Sequence, residues 1–123
     1  MKPLASVSAA VLLERIDHAI DCEIRSVTVL SPTSIAIRFS VQDRGREFDW
    51  IDIVFEVNGV TDAHLIEEGK LQHVDMSEGI SIIIENTGVG IGIGRYSKLR
   101  NLCDSPLCLL GSSIKFKESA FSG

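Results

Sequence analysis

A glycine array, three cysteines, three histidines and a run of carboxylates are the residues of this chain whose types and spacing bear on chemistry. Gly88, Gly90, Gly92 and Gly94 have the look of a phosphate loop. Such a loop needs a tight turn from a strand into a helix N-terminus, whose N–H groups hold the phosphate. Here glycine alternates strictly with Val89, Ile91 and Ile93. In a strand, that alternation places the four glycines on one face and the branched residues on the other. One side of the strand is bare, so something must lie close against it. Internal packing would come from the N-terminal helix or from Trp50, Phe48 or Tyr96. The functional readings of the same face are a partner protein or a bound apolar ligand.

Metal and nucleophile chemistry find little purchase. Cys22, Cys103 and Cys108 include no Cys-x-x-Cys pair, and His18, His64 and His73 are scattered. A structural zinc site usually shows two close ligand pairs. No metal and no cofactor are expected. Cys108, beside Leu107, Leu109 and Leu110, reads as a small buried apolar residue. No Gly-x-Ser-x-Gly elbow occurs. Gly111-Ser112-Ser113 reads as a tight hairpin turn. No catalytic residue is assigned, and the protein is read as a non-enzyme.

The carboxylates read as a surface. Asp49, Asp52 and Glu56 share a strand, with Asp49 on the face opposite the other two. Between Asp43 and Glu85 lie eleven acids and three bases, whereas Arg95 to Lys117 holds five bases and one acid. A negative surface on the central hairpins, carried by Asp49, Asp52, Glu56, Asp62, Glu67 and Glu68, would steer a basic protein partner.

Composition bounds these readings. The chain has 123 residues, 45% hydrophobic and 24% charged, with a formal net charge of −5. One globular domain follows, and general nucleic-acid binding is disfavoured. An odd number of cysteines points to a reducing compartment. Ser6 and Ser8 interrupt the apolar stretch Leu4–Leu13, and Glu14, Arg15 and Asp17 follow it at once. It therefore fails as a secretory signal, and the expected location is cytoplasmic. No run approaches the length of a membrane span.

The elements that must position these residues are legible from periodicity. Ala9, Leu12, Leu13, Ile16, Ala19 and Ile20 recur at helical spacing, which predicts a helix over Val7–Asp21, with Ser6 or Ser8 capping its start. From Cys22 the period is two. Glu23–Leu30 and Ile35–Gln42 form a hairpin about Ser31-Pro32-Thr33-Ser34. Phe48–Val57 alternates, with Ile51, Ile53, Phe55 and Val57 on one face. Asn58-Gly59 is a tight-turn signal, and Val60–Ile66 is the returning strand. Gly69 leads into Lys70–Met76, and Ile80–Glu85 and Val89–Arg95 follow. Tyr96–Ser105 is a polar loop with room for one helical turn. Leu107–Leu110 and Ile114–Lys117 close the domain, and residues 119–123 read as a frayed tail. The expected fold is mainly β: an antiparallel sandwich or strongly curved sheet or barrel of about eight strands, with one N-terminal helix. Leu12, Leu13, Ile16, Ile20, Ile37, Phe39, Ile53, Phe55, Ile82 and Ile84 should be buried.

Three passages carry a likeness: Phe55-Glu56-Val57-Asn58-Gly59-Val60-Thr61-Asp62, Met76-Ser77-Glu78-Gly79-Ile80 and Ser113-Ile114-Lys115-Phe116. Through them, the stretch from Ile24 to Glu118 resembles small β-rich immunity proteins of bacterial polymorphic-toxin systems and related uncharacterised bacterial proteins. The resemblance implies a non-enzymatic protein that neutralises a partner, and it carries no catalytic signature. The alternative function is a lipocalin-like binder of a small apolar ligand, with the glycine face and Trp50 lining a cavity. Edge pairing, or docking on the glycine face, would make a homodimer.

Overall fold

Period-two alternation builds two antiparallel sheets. The computed structural model describes residues 1–121. The strands are β1 (Lys2–Pro3), β2 (Glu23–Ser31), β3 (Ser34–Asp43), β4 (Asp49–Asn58) and β5 (Asp62–His64). After them come β6 (Ile80–Glu85), β7 (Gly88–Ile93), β8 (Cys108–Gly111) and β9 (Ser113–Ala120). One sheet has the order β1-β9-β4-β3-β2 and the other β5-β8-β7-β6. Neither closes into a barrel, so the fold is an open sandwich with α1 (Ser6–Arg15) as its main helix.

The core lies between the sheets. Ile37, Phe39, Ile53, Phe55 and Val57 from β3 and β4 are at most 1% exposed, as are Ile91 and Leu109 from the opposite sheet. Phe39 and Phe55 meet edge to face, with centroids 6.0 Å apart at 68°. Leu12, Leu13 and Ile16 enter the same core from the helix. Ile20, Ile82 and Ile84 are half-buried rather than buried. For Ile82 and Ile84 the reason is position, since β6 is the edge of its sheet.

The chain crosses between sheets where the sequence predicts hairpins. Gly59 does turn, at φ +63°. The next strand, however, is β5, which pairs with β8 in the other sheet. Both flanks of β4 are occupied, by β3 and by β9, so no returning partner fits there. Gly111-Ser112-Ser113 is likewise a crossing and not a hairpin, because β8 and β9 belong to different sheets. The two crossings sit together: Ser112 N–H donates to the Asn58 carbonyl at 2.9 Å.

Three further boundaries differ. Lys70–Met76 joins no sheet, and Glu68–His73 is instead a 3-10 turn whose Leu71 is buried. The tail is ordered into β9, where Ser119 faces Asp52 and Ala120 faces Ile51. Phe121 then packs on Trp50 with centroids 6.0 Å apart. Residues 122 and 123 of that expected tail lie outside the described residues. The helix stops at Arg15, which pairs with Asp43 at 3.2 Å and with Glu118. Its start is tied by Ser8 Oγ, which accepts from Ala5 N–H at 3.0 Å.

Past the helix the backbone inverts. Asp17, His18, Ala19 and Asp21 all have positive φ, between 52° and 58°. None is glycine, so each costs about 1–2 kcal/mol in this conformation. The turn persists because its surroundings hold it: Ala19 is fully buried, and Asp21 N–H donates to the Met76 carbonyl at 2.8 Å. The inversion lets the chain leave the helix and enter β2 directly. Among the described residues, no helix is long and apolar enough to cross a membrane.

Candidate functional site

One carboxylate of the predicted acidic surface is not on the surface. Asp52 is fully buried on β4. It accepts from Ser40 Oγ at 2.7 Å and from Arg38 Nη1 at 2.9 Å. This carboxylate fastens β3 to β4 and offers nothing to a partner. Asp52→Ala should cost about 2 kcal/mol in chemical denaturation. That is below the ~3–5 kcal/mol of a fully buried pair, because Arg38 keeps 34% of its side chain exposed and can turn to water. Glu56 is half-buried and faces Lys115 across the strands. Glu67 pairs with Lys70 at 3.7 Å. Asp49, Asp62 and Glu68 are exposed, on β4, on β5 and at the start of the 3-10 turn.

The glycine face is filled from within. A methyl group on Gly90 would lie 2.5 Å from Leu102 Cδ2, and one on Gly92 would lie 2.9 Å from Leu102 Cδ1. Gly88 and Gly94 lie beside Leu99 and Tyr96 respectively. The cover is the 3-10 turn Leu99–Asp104, with Leu102 fully buried. Leu99 and Leu102 stand three residues apart, which in such a turn puts them on one side. That spacing was the signal available in the sequence. Ser105 Oγ pins the turn, accepting from Ile93 N–H at 3.0 Å and lying 2.8 Å from the Leu107 carbonyl. Trp50 points away from the core, 40% exposed, on the other sheet. It therefore lines no cavity with the glycines, and no bare glycine face is left for docking.

The cysteines are packing residues. Cys22 is 8% exposed and Cys108 fully buried, and burial pushes both thiols above their ordinary range. A raised thiol stays protonated at neutral pH, and the thiolate is the nucleophile. A thiol reagent at neutral pH should modify half-buried Cys103 first. Mass spectrometry of the native protein checks this order; early labelling of Cys108 would contradict it.

A hollow with no local signal in the sequence lies between α1 and β6. Two adjoining cavities of about 520 and 500 Å³ share His18, Tyr96 and Ser97 in their walls. The second is lined by Ala9, Ala10, Leu13 and Glu14 of the helix and by Ile82, Ile83 and Ile84 of β6. The first is lined by Asp17, Ile20, Glu78, Ile80, Ser81 and Arg95. The second cavity sets apolar side chains beside Glu14, and the first carries two carboxylates against one guanidinium. Ser81 Oγ fixes the wall of the first cavity: it donates to the Gly94 carbonyl at 2.6 Å and accepts from Tyr96 N–H at 2.9 Å. The inverted backbone at Asp17 and His18 forms part of this lining. Strained backbone of this kind concentrates at functional sites.

Comparison with known proteins returned no matching family model, curated protein or solved structure.

The groove therefore stands on its own geometry. It joins segments far apart in the sequence, the helix and the sixth strand. Outside the groove, Val7 and Val11 of α1 are 78% and 65% exposed. Large exposed apolar groups one helical turn apart form a contiguous strip.

Proposed function

We propose that this protein is a non-enzymatic interaction domain that holds a basic partner protein in the groove between α1 and β6. The observation that carries the reading is the groove's composition. Apolar side chains of Leu13, Ile82 and Ile84 lie at one end beside Glu14, and Asp17 and Glu78 lie at the other against Arg95. A desolvated apolar centre supplies affinity, while charges at the rim set association rate and salt dependence. Neutralising a toxin-like partner is the role suggested by the resemblance to immunity proteins. The acidic surface of that role is supplied by Glu14, Asp17 and Glu78 at the groove rather than by the β4 carboxylates.

The test is association kinetics with the product of the adjacent gene. Asp17→Lys combined with Glu78→Lys should slow association about ten-fold, and added salt should slow the unaltered protein similarly. Association indifferent to both would overturn the reading.

A further inference from the structure

Sheet edges expose unpaired backbone groups, and this fold blunts three of its four. β1 has two residues and β5 has three. β2 is broken by register shifts at Ile24/Ser26 and Val29/Ser31. β6 differs: six residues pair with β7 in unbroken register. The direction of its free groups follows from two bonds. Gly94 N–H donates to the Gly79 carbonyl, and Ile93 N–H donates to the Leu107 carbonyl on the far side of β7. Alternation along an antiparallel ladder then turns the N–H and C=O groups of Ile80, Ile82 and Ile84 away from β7. They face the groove beside α1, and no backbone bond from the other described residues reaches them.

We propose that the β6 edge binds an extended segment of the partner as an added antiparallel strand, with a Lys or Arg near the segment's C-terminal end. This rests on the interaction reading above and names its mode. Free, evenly spaced backbone groups recognise another extended backbone, and pockets beside them select alternate side chains. β6 runs from Ile80 towards Glu85, so an antiparallel segment ends beside Ile80. There the cavity wall carries Asp17 and Glu78 against Arg95, two carboxylates to one guanidinium, and the surplus negative charge complements a cation. Alternate apolar side chains of the segment meet Leu13, Ile82 and Ile84. A second copy of this chain is the weaker occupant, because it would bring its own α1 to the same slot.

The experiment selects binders from a random linear peptide library displayed on phage, using the whole protein as bait. Recovered sequences should alternate β-branched or aromatic residues with polar ones and end in Lys or Arg. N-methylating alternate amides of a selected peptide should weaken binding at least about ten-fold. Ile82→Pro, which removes one outward N–H at an edge position where proline is tolerated, should do the same. Methylation of the peptide leaves the protein untouched, so it decides the matter even if Ile82→Pro does not fold. Binding that survives methylation but is lost in the Asp17→Lys, Glu78→Lys variant overturns strand addition alone and leaves the interaction reading standing. Binding indifferent to both overturns both. Recovery of no peptide above background, or a concentration-dependent dimer abolished by Ile82→Pro, also overturns the proposal; the dimer would give the edge to a second copy.

Discussion

Replacing Phe55 by alanine is expected to lower unfolding free energy by about 3–5 kcal/mol, the range for deleting a buried aromatic ring. Phe55 is fully buried at the centre of β4, between Ile37 on β3 and Phe116 on β9 in register. Its ring meets Phe39 edge to face. Both flanking strands are held by the sheet ladder, so the backbone there cannot collapse to fill the void. The loss reflects the transfer term plus the cavity left behind. Urea denaturation of the variant and the parent measures it. A loss below about 1.5 kcal/mol would mean that β4 presents its other face to the core.

Gly79→Ala is expected to cost about 3 kcal/mol, combining left-handed strain with overpacking. Gly79 has φ +72°, and a Cβ there would sit 2.1 Å from the His18 carbonyl oxygen and 3.0 Å from Ile20 Cγ1. The first obstacle is backbone, which cannot rotate aside. Gly79 also anchors β6, because its carbonyl accepts from Gly94 N–H at 2.8 Å. The displaced turn at His18 lines both cavities, so peptide binding should weaken alongside stability. A variant as stable as the parent would show that the close approach of these two turns is wrong.

Local signals in the sequence located most elements and failed on their partners. Ser31-Pro32-Thr33-Ser34 gave the β2–β3 hairpin, and the alternation of Ile51, Ile53, Phe55 and Val57 gave the buried face of β4. These depend on neighbours a few residues away. The destination of β5 depends on whether β4 has a free flank, and β9, arriving later in the chain, takes it. Asp17, His18 and Ala19 carry no glycine signal, so periodicity predicts more helix where the backbone inverts. Asp52 obeyed the alternation and yet is buried, because Arg38 and Ser40 satisfy it within the sheet. The glycine strand was legible as a surface needing cover, but its cover, Leu99 and Leu102, sits in a stretch whose polarity masked it.

Central to this account is that β6 lies open beside α1, ready to pair. Residue-resolved amide exchange by nuclear magnetic resonance on the dilute, partner-free protein tests it most directly. The amides of Ser81 and Ile83 donate to β7, whereas those of Ile82 and Ile84 face the groove. Ile82 and Ile84 should exchange on the order of 100-fold faster than Ile83, since only the inward amides share the protection of the sheet. Equal, strong protection of all four would mean that the edge is already closed and would contradict the account.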